Sequence, residues 1–280
     1  MAQNLAQKYS KKVDERFKLA SFSNAATNQS YEWSGVVTVQ VYSIDTVAMG
    51  NYTRTGTTRY GTASELGTAL QELTLTRDRA FTFTIDRGNW NESQMVTESG
   101  RALRRQIDEV VIPELDVYNL AAMGAAANTN SHTAGTEAAT SASNAYTIVT
   151  ELSELLNEDK VPATGRKLFI TPAVFSYLKL DDSFLLASEL GQKIKFNGQV
   201  GEVDGNAVIM VPSSYFPANT DMILAHPVAT VAPKKLEDYK IHNNPPGISG
   251  WLVEGRLIYD AFVLDNKVNA IAVHTTSPTS

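Results

Sequence analysis

Arg101-Ala-Leu-Arg-Arg-Gln-Ile-Asp-Glu-Val-Val-Ile-Pro-Glu-Leu-Asp-Val-Tyr-Asn-Leu-Ala-Ala-Met-Gly-Ala-Ala-Ala127 is the stretch on which the fold turns. Leu103, Ile107, Val110, Val111, Val117, Leu120 and Ala121 recur at helical spacing on one stripe. Arg101, Arg104, Arg105, Asp108, Glu109 and Asp116 fall largely elsewhere. Glu92 and Ser93 suit a helix start, so the pattern predicts a helix from Asn91 to about Ala127. At ~1.5 Å per residue it would run roughly 50 Å, more than a typical globular helix requires. Pro113 lacks an N–H and crowds the preceding turn, which predicts a kink or break near Val111.

Upstream the pattern is β. Gly35-Val-Val-Thr-Val-Gln-Val-Tyr-Ser-Ile44 is rich in β-branched and aromatic residues, with no proline and no interior glycine. Ala80-Phe-Thr-Phe-Thr-Ile-Asp86 alternates, with Phe81, Phe83 and Ile85 on one face and Thr82, Thr84 and Asp86 on the other. Between them, residues 49–78 carry Gly50, Gly56, Gly61 and Gly67 among Thr, Arg and Tyr. That is too long for a tight hairpin and too long for a structureless loop in a compact domain. It is expected to be a two-stranded excursion turning near Thr53-Arg-Thr-Gly-Thr-Thr-Arg59. Lone hairpins are marginal in water, so such an excursion needs support from a neighbour.

Residues 4–22 could form a short amphipathic helix through Leu5, Tyr9, Val13, Phe17 and Leu19, either as a loose terminus or as an arm that docks elsewhere. Downstream of the long helix, residues 128–143 read as an exposed, mobile loop. Ala145–Asn157 reads as a helix, Gly165–Thr171 as a strand, and Pro172–Leu180 as a helix begun by its proline. Lys193 to Val203 reads as a hairpin turning at Asn197-Gly198. Ala207–Val211 and Met222–Ala225 read as buried strands. Ala232–His242, Trp251–Leu264 and Val268–His274 read as long terminal strands, with Asp265-Asn266 turning between the last two.

Composition narrows the function. The 280 residues are 43% apolar and 19% charged, with no cysteine, so disulfides, thiolate metal sites and cysteine nucleophiles are excluded. Uncharged apolar stretches fall far short of a membrane span, so no membrane partner is expected. No basic start leads into an apolar run, which makes the expected compartment intracellular. A net charge of −6 disfavours a nucleic-acid reader. Locally, Lys8, Lys11, Lys12, Arg16 and Lys18 against Asp14 and Glu15 give the first twenty residues an excess of +3. No lysine then occurs until Lys160.

Chemistry is sparse. There is no phosphate loop, dinucleotide fingerprint, nucleophile elbow or His-Glu-x-x-His helix. His132, His226, His242 and His274 stand apart and read as structural or surface histidines; Asp181-Asp182 reads as a cap or a solvated pair. Glu109 and Asp116 are accounted for by ion pairs within their helix, and Arg104-Arg105 by a surface or inter-subunit salt bridge. Catalytic, cofactor and metal residues are therefore expected to be none.

The order of elements decides the rest. A polar arm, a β excursion with a Gly/Thr/Arg tip, a very long helix, an α/β block and long C-terminal strands together resemble the major capsid protein of tailed bacteriophages, a fold shared with encapsulin shells. Three passages carry the resemblance: Val161-Pro-Ala-Thr-Gly-Arg-Lys-Leu-Phe-Ile-Thr-Pro-Ala-Val-Phe-Ser-Tyr-Leu178, Asn197-Gly-Gln-Val-Gly-Glu-Val-Asp-Gly-Asn-Ala-Val-Ile-Met-Val-Pro212, and Ile107-Asp-Glu-Val-Val-Ile-Pro-Glu-Leu-Asp116.

The resemblance implies an α+β fold divided into an N-terminal arm (1–34), an extended β-loop with flanking strands (35–90), a spine helix with the first part of a peripheral domain (91–145), an axial domain (146–230) and C-terminal peripheral strands (231–280). It implies a structural protein, not an enzyme, whose pentamers and hexamers build an icosahedral shell around double-stranded DNA. Its partners would be identical subunits, a portal and a separate scaffolding protein, with assembly in the host cytoplasm. DNA would be enclosed without sequence-specific binding. Some relatives link subunits covalently through a lysine in the extended loop; residues 49–78 contain none, so cohesion here is expected to be non-covalent. Candidate inter-subunit contacts are Arg54 and Arg59 at the loop tip and Arg101, Arg104 and Arg105 on the helix. The alternatives are an encapsulin-like cargo compartment and, in a different class, a soluble enzyme whose pocket gathers Asp181, Asp182 or a histidine.

Overall fold

The computed structural model describes residues 21–28, 38–63, 65–88, 98–135, 139–180 and 201–276. The chain forms two compact units: residues 33–75, and residues 1–32 with 76–280.

The smaller unit is a two-stranded antiparallel ladder, β1 (Thr38–Ile44) against β2 (Thr68–Thr74). The Gly35–Ile44 run is therefore not a strand flanking the excursion but its rising strand. The part of that run before Thr38, like the expected arm helix before Ser21, lies outside the described residues.

The larger unit begins with a short 3₁₀ turn, Ser23–Ala26, and resumes in β3 (Arg77–Asp86). Phe81, Phe83 and Ile85 of β3 are half-buried and the residues between them exposed, as the alternation predicts. The long helix follows as α1 (Glu98–Gln106), a π-helical turn (Ile107–Val111) and α2 (Ile112–Thr129). Its expected start at Asn91 lies outside the described residues.

The break predicted near Val111 is this π turn. Pro113 offers no N–H, and the widened turn lets the Ile112 N–H reach back to the Ile107 carbonyl, five residues away. Widening shifts the helix phase, which corrects the predicted stripe. Leu103, Ile107, Val111 and Leu120 are buried, but Val110 and Val117 face outward, and Ile112, Leu115, Asp116, Asn119 and Met123 turn inward.

Beyond the helix come β4 (Thr133–Ala134), α3 (Ala145–Glu158), β5 (Lys167–Ile170), α4 (Pro172–Leu180), β6 (Glu202–Val203), β7 (Asn206–Met210), β8 (Thr220–Ala225), β9 (Thr230–Val231), β10 (Lys234–Asn243), β11 (Gly250–Tyr259), β12 (Phe262–Val263) and β13 (Ile271–Thr275). α4 keeps its predicted bounds, and its first turn is capped by Thr171, whose Oγ1 accepts the Val174 N–H.

A six-stranded mixed sheet runs β4-β13-β8-β5-β7-β6. Its central strands β13, β8 and β5 are buried on both faces, which is why they read as apolar runs. Leu168, Ile170, Met222, Leu224 and Ala272 pack with Ile148, Leu152 and Leu156 of α3 and Val174 and Leu178 of α4. The alternate residues Phe169, Ile223, Ala225, Ile271 and Val273 pack with Leu120, Met123 and Ala127 of α2.

A second, antiparallel sheet runs β10-β11-β3. Val253, Leu257, Tyr239 and Tyr259 pack with Leu103, Ile107, Val111, Ile112 and Leu115. The long helix thus serves two cores, its first half on this sheet and its second half on the six-stranded one. By length and composition Ala102–Thr129 is apolar enough to cross a membrane. The two sheets bury part of that apolar surface.

Three expectations need correction. Residues 128–143 are not simply a mobile loop: Thr133–Ala134 pairs in parallel with β13, and His132 is buried, with Nδ1 on the Ile271 carbonyl at 3.2 Å and Nε2 2.6 Å from Asp159. The Trp251–Leu264 run is not one strand. It breaks at Asp260, whose buried carboxylate accepts the Thr76 N–H (2.8 Å) and hydroxyl (2.9 Å), the Tyr118 hydroxyl (2.7 Å) and the Ala261 N–H (2.8 Å). Nor does Asp265-Asn266 turn a hairpin: Asp265–Ala270 is a 3₁₀ helix, β12 pairs with β9, and β13 pairs with β8 and β4. The Asn197-Gly198 turn lies outside the described residues. The described hairpin turn joins β6 to β7 through Asp204 (φ 51°) and Gly205 (φ 72°), the positive pair a two-residue turn requires.

Candidate assembly surfaces

Across β1 and β2 one exposed face grades from polar to apolar. Thr38 meets Thr74 at 2.9 Å, and Gln40 donates to Glu72 at 2.8 Å; then Tyr42 stands opposite Leu70 and Ile44 opposite Thr68. The Asp45 N–H continues the ladder to the Gly67 carbonyl. At the tip the Thr53 N–H donates to the Arg59 carbonyl (3.0 Å), Arg59 Nε donates to the Gly56 carbonyl (3.1 Å), and the Tyr52 and Tyr60 rings meet edge to face at 5.0 Å. The turn forms where the sequence placed it, and it closes on its own bonds.

The side chains around it are not satisfied within the subunit. Of thirteen large apolar residues that stand exposed among the described ones, eight lie between Tyr42 and Leu70, including Val47, Leu66, Tyr60 at 91% and Met49 at 101%. Such a concentration of exposed apolar residues in one segment makes it a candidate interaction surface, which singly scattered apolar residues are not. Sequence reasoning chose the arginines here and missed these residues. Single Val, Met and Leu residues in a Gly/Thr tract have no periodicity to betray them.

The arginine candidates are dispersed. Arg54 lies at the tip with no ion-pair partner among the described residues, and Arg59 is engaged with its own turn. Arg105 pairs with Glu109 at 2.9 Å, so the intrahelical account of Glu109 holds. Each partner favours the other's charged form, but both are exposed and the pair adds little stability. Arg104 is exposed on the same helix, and Arg101 occupies α1. Asp116, expected to pair within its helix, is instead fully buried.

The α1–β11 cleft is lined by Arg79, Gln106, Val110, Glu114, Tyr239 and Tyr259. Glu114 is already engaged there, accepting from Arg79 at 2.7 Å and from the Tyr259 hydroxyl at 2.9 Å. No histidine lines it, and Asp181 and Asp182 lie outside the described residues.

His274 is buried with Nδ1 on the Ala134 carbonyl at 2.8 Å, His242 is exposed beside Glu254 at 3.1 Å, and His226 is held by two hydrogen bonds. Val228 N–H donates to Nδ1 of His226, so Nε2 carries the proton and donates to the Thr164 carbonyl, both at 3.2 Å. Burial holds this imidazole below its usual range against the opposing Thr164 bond, with the Arg166 and Lys267 charges adding to the depression. Its contribution to stability is therefore present above the unfolded histidine value of about 6.5 and is lost as pH falls through the folded one. The thermal midpoint should fall more steeply between about pH 7 and pH 5 in the wild type than in His226→Gln. Differential scanning fluorimetry across that window checks this; parallel curves would contradict it.

Solved structures share this architecture. The chain aligns with one from Mycobacterium phage Che8 over 92% of its own length and 91% of that chain, at 16% identity and TM-score 0.69. A capsid structure of cyanophage P-SCSP1u aligns over 91% and 88%, at 14% identity and TM-score 0.72. A virus-like particle from Pyrococcus furiosus aligns over 96% and 98%, at 10% identity and TM-score 0.58. The fold is the α+β fold of tailed-phage major capsid proteins. Residues 71–273 match the family described as phage capsid protein, and the chain belongs to that family. No curated sequence matches it. Family and fold point to a structural shell protein of the virion rather than a catalyst.

Proposed function

We propose that this chain is the major capsid protein of a tailed phage, assembling through pentamers and hexamers into an icosahedral head around double-stranded DNA. The observation that carries the reading is the excursion: a self-closed β ladder that leaves its large apolar side chains in solvent gains stability when identical copies cover them. In this reading residues 35–90 are the extended loop with β3 as its flanking strand, and 91–145 the spine and first peripheral part. Residues 146–230 form most of the axial domain, whose sheet β13 completes, and β10 and β11 are peripheral strands. The chain has no catalytic role, and portal and scaffolding partners join it in the host cytoplasm. The net charge of −6 suits a wall that encloses DNA without adhering to it.

Particles purified from the natural source should display five- and six-fold capsomers by electron microscopy and hold nuclease-protected DNA. The encapsulin-like alternative is favoured only by the likeness to the Pyrococcus furiosus particle. It would give shells holding protein cargo in place of DNA. Arg54 and Arg59 serve the same surface. Arg54→Ala with Arg59→Ala should lower the particle yield about tenfold while leaving the melting temperature of the subunit unchanged, because exposed charges steer association more than they stabilise folds. Equal yields by sedimentation would remove both arginines from the interface.

A further inference from the structure

Asp116 points from α2 at a segment 93–95 residues earlier in the chain. Its Oδ1 accepts the Ser21 hydroxyl (2.6 Å), the Ser23 hydroxyl (2.6 Å) and the Ser23 N–H (3.1 Å), and its Oδ2 accepts the Phe22 N–H (3.0 Å). Asn119, one turn further on, donates to the Ser23 hydroxyl at 2.8 Å and so directs that hydroxyl's proton onto Asp116. The carboxylate is fully buried, and no cation pairs with it among the described residues. The two amides open the 3₁₀ turn Ser23–Ala26, which has no local side-chain cap. Asp116 supplies that cap from a distant helix. Further along, the Phe22 ring meets Tyr215 edge-on at 6.3 Å, Ala26 is fully buried, and the Asn28 N–H donates to the Thr230 carbonyl at 2.7 Å. The strap from Ser21 to Asn28 is tied at both ends.

An apolar residue at position 116 would fill the same buried place without desolvating a charge. A carboxylate there is suited to something else: holding backbone amides and hydroxyls of another segment in one fixed orientation. We propose that Asp116 is a positioning residue for assembly. It clamps the strap to the subunit, so that Ser21, which follows a stretch with an excess of +3, stands at the same place in every copy. Closed symmetric shells need each copy to present the same surfaces. The inference rests on the shell function proposed above, and the wild-type particle serves as the control that separates the two.

The test uses full-length Asp116→Ala, Asp116→Asn and the double variant Ser21→Ala/Ser23→Ala, compared by native-state hydrogen exchange and by particle imaging. Phe22 and Ser23 amides should exchange on the order of a hundredfold faster in Asp116→Ala and about tenfold faster in the serine double variant, with Asp116→Asn between them. Phe169, Ile223 and Val273 amides should keep wild-type protection. Particle diameters should broaden in the same order. Unchanged exchange at Phe22 and Ser23 overturns the clamp. A loosened strap with uniform particles in all three variants overturns the positioning role. Core amides that loosen together with the strap, in the serine variant as well, reduce Asp116 to an ordinary core residue. A wild-type chain that forms no particles overturns the shell function itself.

Discussion

Serine at Val47, Met49 and Leu66 together is expected to abolish particle formation and leave a folded subunit. All three side chains stand in solvent on the excursion, outside the β1–β2 ladder, so their removal breaks no ladder pairing. Covering each in an interface is worth about 1.5–3 kcal/mol, so the triple variant loses roughly 5–9 kcal/mol per subunit if all three are fully covered. Association must also offset the cost of immobilising whole subunits, so a loss of that size falls on a small net balance. Sedimentation should find only slowly moving species at concentrations where the wild type forms particles, with unchanged circular dichroism and melting. Particles of normal size and yield would show that the exposed apolar residues are not interface.

The second large effect is inside the subunit. Gly255 lies at the centre of β11, directly opposite Phe81 of β3 and Tyr239 of β10. The two rings close over it, their centroids 6.1 Å apart. A Cβ at position 255 would collide with the Phe81 ring and stand 2.8 Å from Tyr239. Phe81 also stacks on Phe83, and both rings pack on the core that holds Leu103, Ile107 and Val111, so neither can withdraw freely. Gly255→Val is expected to cost about 3 kcal/mol through overpacking, despite valine's better strand propensity. Chemical denaturation of the unassembled subunit measures it. A change under about 0.5 kcal/mol would mean that the rings move aside readily.

What could be read in the sequence was what depends on period. The alternation of Phe81, Phe83 and Ile85, the unbroken apolar runs at 168–170 and 222–225, the Pro172 helix and the disturbance at Pro113 are local signals, and the structure follows each. The buried acceptors could not be read this way. Asp116 stands between Leu115 and Val117, and Asp260 between Tyr259 and Ala261; a lone carboxylate in a helical or strand pattern reads as solvated. Their donors, Ser21 to Ser23 and Thr76, lie 93 to 184 residues away, so only the folded chain reveals them. Strand partners were hidden for a related reason. Nothing local says that Thr38–Ile44 pairs with Thr68–Thr74, or that Trp251–Tyr259 belongs beside Arg77–Asp86. Of the assembly surface, the excursion and its turn were legible from glycine and threonine content. The exposed apolar side chains on which the proposed interface rests carry no such signal.

Velocity sedimentation of the purified full-length chain over a wide range of concentration and salt tests most directly whether its excursion finds its support on identical copies. The account predicts a sharp boundary of large, uniform particles above a threshold concentration, in equilibrium with small species below it. A single monomeric boundary under every condition, with the excursion's apolar side chains still in solvent, would contradict it.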